Sequence, residues 1–126
     1  MKRLWIGLAL LLLLLIAGIF STVAMEKFHH GLSRHLASTA SAALDEDWEE
    51  TGILLRQCRS RWARYRNFVA AGASHEAIEE IDSLYTQLEL YFQRRDSLGF
   101  SLCCATLQHR TAALGEAQSI NWWNLL

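Results

Sequence analysis

Glu46-Asp-Trp-Glu-Glu-Thr-Gly-Ile-Leu-Leu-Arg-Gln-Cys-Arg-Ser-Arg-Trp-Ala-Arg-Tyr-Arg-Asn-Phe-Val-Ala-Ala71 is the stretch that decides the fold. Trp48, Leu55, Trp62 and Val69 recur every seven residues, and Thr51, Cys58 and Tyr65 fill the other half of the repeat. This is a heptad seam, the pattern by which a helix packs on near-antiparallel neighbours. Tryptophans at seam positions are read as core. Asp45-Glu46-Asp47 suits a helix N-terminus, where the macrodipole is positive. Gly72 supplies a stop and Ser74 the next N-cap.

Towards the C-terminus the same logic continues. A third helix is expected from about His75 to Arg95, with Ile78, Tyr85 and Phe92 seven apart and Ile81, Leu88 and Arg95 likewise. A fourth is expected from about Ser97 to Gln118, on the stripe Phe100, Cys103, Cys104, Leu107, Thr111 and Leu114. The break between them rests only on Arg94-Arg95-Asp96-Ser97 and Gly99. Arg56, Arg59, Arg61, Arg64 and Arg66 crowd the second helix towards its end; Glu76, Glu79, Glu80 and Asp82 crowd the start of the third. A short hairpin sets the clusters side by side, where each exposed pair is worth only about 0–1 kcal/mol but fixes register. The alternative is an arginine patch for lipid headgroups or an anionic ligand; the acidic partners within the chain favour the first reading.

Towards the N-terminus, Phe28, Leu32, His35 or Leu36, Thr39 and Ala42 or Ala43 recur at helical spacing between Glu26 and Leu44. No breaker separates them from Leu4 to Met25, a run without a charge. One long helix is therefore expected. A bilayer core about 30 Å thick needs roughly 20 apolar residues. Eight leucines between Leu4 and Leu15 favour insertion by on the order of −4 kcal/mol. Lys2, Arg3 and the amino terminus keep the start in the cytoplasm and send the rest across. The reading is a signal anchor over residues 1–25 and an extracytoplasmic domain over 26–126. The alternative is a signal peptide cleaved after Ala24, in the small-residue context Thr22-Val23-Ala24. Ala17, Gly18, Ser21 and Thr22 form a small-residue patch of the kind that pairs membrane helices.

The chain has no proline and no alternating β-branched runs, so the fold class is all-α: a transmembrane helix continuing into an extracytoplasmic antiparallel bundle of three to four helices. Its net charge of −1 argues against nucleic acid. Cys58, Cys103 and Cys104 fit no zinc spacing and are read as small buried hydrophobes; in an oxidising compartment Cys58 would be free to bridge to Cys103 or Cys104. No phosphate loop, nucleophile elbow or paired-cysteine motif is present, so no catalytic residue, cofactor or metal site is assigned. Glu26 and His30 have a spacing that suits a metal, but solvated histidines, His29 and His35 among them, are the commoner case. His75 is expected to cap or pack, and His109 is isolated. If the four outer helices are of similar length, the C-terminus returns to the bilayer. Trp122, Trp123, Leu125 and Leu126 then touch the headgroups or close that end of the bundle.

Five features carry a resemblance: Met1-Lys2-Arg3 running into the apolar span, Asp47-Trp48 opening a helix, Trp62 fourteen residues later, His75 followed by Ile78, and the ending Asn124-Leu125-Leu126. In this order and spacing the chain resembles a bacterial family of uncharacterised signal-anchored helical proteins, domain of unknown function 4363. The resemblance implies a membrane-anchored helical domain and transfers no catalytic residue. The Trp122-Trp123 pair and the vicinal cysteines are departures from it.

The expected role is an accessory or structural binding subunit of a membrane or envelope assembly, through a protein partner or self-association. Between Ser97 and Gln118 only Arg110 and Glu116 are charged, and Leu98, Leu102, Ala105 and Ala112 lie off the main stripe. The alternative is a ligand-sensing bundle with Tyr65, Tyr85, His109, Arg110 and Thr111 around a pocket, set against by the mere Met1–Arg3 on the cytoplasmic side. A secreted enzyme ranks last.

Overall fold

The computed structural model describes residues 1–70 and 74–124, with the side chains of residues 21, 22, 25, 26, 29, 68 and 117–124 outside the description. Four helices carry the described chain: α1 (Lys2–Leu44), α2 (Trp48–Val69), α3 (His75–Gln93) and α4 (Ser97–Asn124). α1 is one uninterrupted helix of 43 residues. Its first half, Lys2–Phe20, is apolar, lies outside the buried core, and is long enough to cross a membrane; a signal sequence has the same character. Its second half is a wall of the bundle. α4 packs on α1 and α3, α2 packs on α1, and the α2–α3 contact is the loosest.

The two described connections are built alike. After α1, the Glu46 N–H reaches the Ala43 carbonyl and the Asp47 N–H the Ala42 carbonyl; after α3, Arg95 N–H reaches Phe92 and Asp96 N–H reaches Tyr91. Each is a Schellman motif, whose left-handed residue is usually glycine. Here the left-handed positions are Glu46 (φ 60°) and Arg95 (φ 55°). The residue after each is an aspartate that caps the next helix. Asp47 accepts from the Glu50 N–H, and Asp96 from the Gly99 N–H. Stop and start signals thus overlap, which makes a three-residue hairpin. Gly99 is needed because a Cβ there would lie 2.5 Å from the Tyr91 ring. Ser74 caps α3, as expected, by accepting from the Ala77 N–H. Gly72 lies outside the described residues.

Helix ends differ from expectation: α2, expected over about Glu46–Ala71, runs Trp48–Val69, because Glu46 and Asp47 form the turn and the cap. α3 stops at Gln93, because Arg94 and Arg95 form the turn. α4 runs on to Asn124, six residues past Gln118, because nothing from Gln118 to Asn124 breaks a helix.

The core is the heptad face. Leu55, Trp62 and Val69 are buried with Thr51, Cys58 and Tyr65. They meet Leu32, Leu36 and Thr39 of α1, Ile78, Ile81, Tyr85 and Leu88 of α3, and Phe100, Cys104, Leu107 and Thr111 of α4. The three buried threonines are harmless there, since Thr39, Thr51 and Thr111 each donate to a carbonyl four residues back. Trp48 lies half-buried between the hairpins, edge-on to Phe92 (6.0 Å) and Phe100 (6.2 Å). The Arg95 guanidinium covers both Trp48 and Phe92. At the other end Phe28 stacks on Tyr65 at 4.2 Å, and Tyr65 leads through Trp62 to Tyr85.

Candidate functional site

Among the described residues the core's titratable groups are three thiols and two phenols. Cys58, Cys103 and Cys104 are buried and unbridged. Burial pushes all three thiols up, that of Cys103 to about 11, so they hold their protons rather than act as thiolate nucleophiles. Thr39 Oγ1 lies 3.7 Å from Cys58 Sγ, and Cys103 Sγ–H donates to the Leu84 carbonyl. Burial also raises Tyr65 to about 12 and Tyr85 further. Among the described residues no group of His, Cys, Asp and Glu has the geometry to hold a metal.

The residues named for a sensing pocket do not converge. Tyr65, Tyr85 and Thr111 are core, His109 is exposed, and Arg110 pairs outward with Glu80 at 3.2 Å. His75 is exposed beside Glu79 (3.2 Å), and the capping role belongs to Ser74. His35 bonds Gln57 at 2.7 Å.

The surface divides by composition. On α2 and α3 the charges answer one another. Arg66 meets Asp82 at 2.9 Å, and Trp62 Nε1 donates to the same carboxylate at 2.7 Å. Arg59 meets Glu89, seven residues back on α2 and seven residues on along α3, which fixes an antiparallel register. The expected match of the two clusters is thus only partial. Arg56, Arg61 and Arg64 have no carboxylate partner among the described residues, Glu79 turns to His75, and Glu80 turns to Arg110. Helical phase explains this, since Arg59 and Arg66 run seven apart beside the seam while the other three point elsewhere.

At the end of the bundle formed by residues 35–44 of α1 and 97–109 of α4, the outer face has no formal charge. No residue between Arg34 and Asp45, or between Asp96 and Arg110, carries a formal charge. Leu98 and Leu102 are 67% and 63% exposed, one turn apart, and Ala105 and Ala112 continue their line. Gln108 Nε2 donates to the Ser33 carbonyl, which sets the level of α4 on α1. Counting eleven residues along each helix from there brings Leu44 level with Ser97. Leu44 is also exposed, at the same end of the bundle as Leu98 and Leu102. The sequence pattern did not single out Leu44; its only signal was its place off the Leu32–Leu36–Thr39–Ala43 stripe. The side chains of Trp122 and Trp123, and the whole of Leu125 and Leu126, lie outside the described residues.

Residues 19–125 match the model of a family described as Domain of unknown function (DUF4363). No curated protein and no solved structure matches the chain.

Proposed function

The chain belongs to the DUF4363 family, and from that premise we propose that it is a membrane-anchored structural subunit which assembles through its α1/α4 face, with a second copy as the occupant. The observation that carries this is the uncharged end of the α1/α4 face, residues 35–44 and 97–109, where Leu44, Leu98 and Leu102 are each exposed. Ile53 and Leu90 are exposed too, but singly among charged neighbours, which is ordinary for a surface. A face without charge meets its own copy without repulsion and needs no complementary partner. Anchoring adds height. If Leu4–Met25 spans a bacterial cell membrane with the N-terminus in the cytoplasm, every copy presents its leucines at one level outside. Two copies then meet about an axis normal to the bilayer. The role is binding, with no enzymatic step assigned.

Energy transfer between donor- and acceptor-tagged full-length copies in native membranes tests this. Transfer is expected for the wild type and its loss for Leu98→Ser/Leu102→Ser at equal expression. Equal transfer in both would overturn the role of the face. Absence of transfer in the wild type, with a foreign protein crosslinked at Leu102, would make the chain an accessory to that protein and overturn self-assembly.

A further inference from the structure

Of the α2 arginines without a carboxylate partner among the described residues, Arg61 and Arg64 lie on one flank and Arg56 apart from them. Gln57, Arg61 and Arg64 stand at i, i+4 and i+7, and the Gln57–His35 bond shows that this flank faces α1. The Arg61 guanidinium lies over Gly31, where an added Cβ would be 3.4 Å from Nη1. On α1 the outer positions beside Gly31 are Lys27, His30 and Arg34. With Val23 and Gly31 they line an open groove of about 510 Å³. Lys27, Arg34, Arg61 and Arg64 therefore gather on one side of the bundle, and none has a carboxylate partner among the described residues. Arg59, Arg66 and Arg110, which lie elsewhere, all have one. Glu26 precedes Lys27 in the chain and offsets a single charge.

The position of the cluster gives it a ligand class. It begins where the apolar half of α1 ends. Lys27 to Arg34 covers roughly 10 Å of helix, about the depth of a headgroup layer and its wet edge. Long cationic side chains at that depth reach phosphate oxygens while their stems stay on apolar surface. We propose that Lys27, Arg34, Arg61 and Arg64, with His30, form a binding site for the phosphate of anionic phospholipid headgroups at the exit of α1 from the bilayer. The inference rests on the anchored reading above. The bound lipid steadies the bundle upright by tying α2 as well as α1 to the surface.

The test uses the full chain reconstituted in mixed phosphatidylcholine/phosphatidylglycerol vesicles. Spin-labelled forms of each lipid report which one the protein immobilises. The wild type is expected to prefer phosphatidylglycerol by about three- to tenfold at low salt. Lys27→Gln/Arg34→Gln/Arg61→Gln/Arg64→Gln should bring the ratio near one. The charge-keeping set Lys27→Arg/Arg34→Lys/Arg61→Lys/Arg64→Lys should keep it, as should Arg56→Gln. Far-UV circular dichroism checks that each remains helical. An unchanged preference in the glutamine set would overturn the site. Loss of the preference on adding millimolar inorganic phosphate at fixed ionic strength would assign the groove to free phosphate and overturn the lipid reading. Release of the wild type from vesicles by alkaline carbonate would overturn the anchor and this site with it, whereas firm insertion without lipid preference would overturn the site alone.

Discussion

The two long faces of this bundle solve the same problem differently. The α2/α3 face answers charge with charge: Arg59 with Glu89, Arg66 with Asp82, and Trp62 tied to the same aspartate. The α1/α4 face has nothing to answer. Among the described residues Gln108 bonds the Ser33 carbonyl and hydroxyl across it, and Leu44, Leu98 and Leu102 stand in the open. Ion pairs as exposed as those on the first face contribute little stability, so their value is in orientation. Exposed leucines on the second contribute none within one chain. On the reading proposed above, this face is kept for contact with a second copy.

The sharpest way to break this comparison lies within α4. Phe100 is fully buried and Leu102, two residues on, is 63% exposed. Phe100→Ala should destabilise the isolated chain by about 3–5 kcal/mol, and Leu102→Ala by less than about 0.5 kcal/mol. Thermal melts in detergent measure both, and a large Leu102 effect would mean that the leucines already serve the single chain.

Alkali should weaken the core beneath both faces alike. Cys103 is pushed from 9 to about 11 and Tyr65 from 10 to about 12, so the folded state keeps protons that the unfolded chain gives up first. Stability from these groups is complete below pH 9 and is lost as pH climbs towards about 12. The loss is of order 3 kcal/mol for each group. Melting midpoints followed from neutral pH upward should stay level and then fall.

Asp82→Asn tests the charged face. It removes the ion pair to Arg66 and weakens the bond from Trp62, at a cost of about 1–2 kcal/mol. No change in melting would mean that the register is held elsewhere. The smallest effect is expected at a hairpin. Glu46→Gly relieves a left-handed backbone and should stabilise by about 1 kcal/mol. Arg95→Gly relieves the same strain but loses the cover over Trp48 and Phe92, so it should gain less.

Much of this architecture was legible from residue spacing. The repeat from Trp48 to Val69 announced a helix buried on one side, and Ser74 and Asp47 marked helix starts because short oxygen side chains satisfy free N–H groups there. The α3/α4 break was harder to read, since its left-handed residue is Arg95 rather than glycine. The partner of each arginine was not legible from composition. Five arginines in eleven residues point all round a helix, and only the pair in phase with the seam meets α3. Leu44 escaped notice because exposure at a helix end depends on how far the neighbouring helix reaches.

Site-specific photocrosslinking in native membranes tests the central claim most directly. A benzoylphenylalanine placed at Leu102, on the uncharged face, should give an adduct of twice the chain's mass. The same probe at Leu90, exposed on the charged side of α3, should give none. An adduct from Leu90 and not from Leu102 would contradict the account.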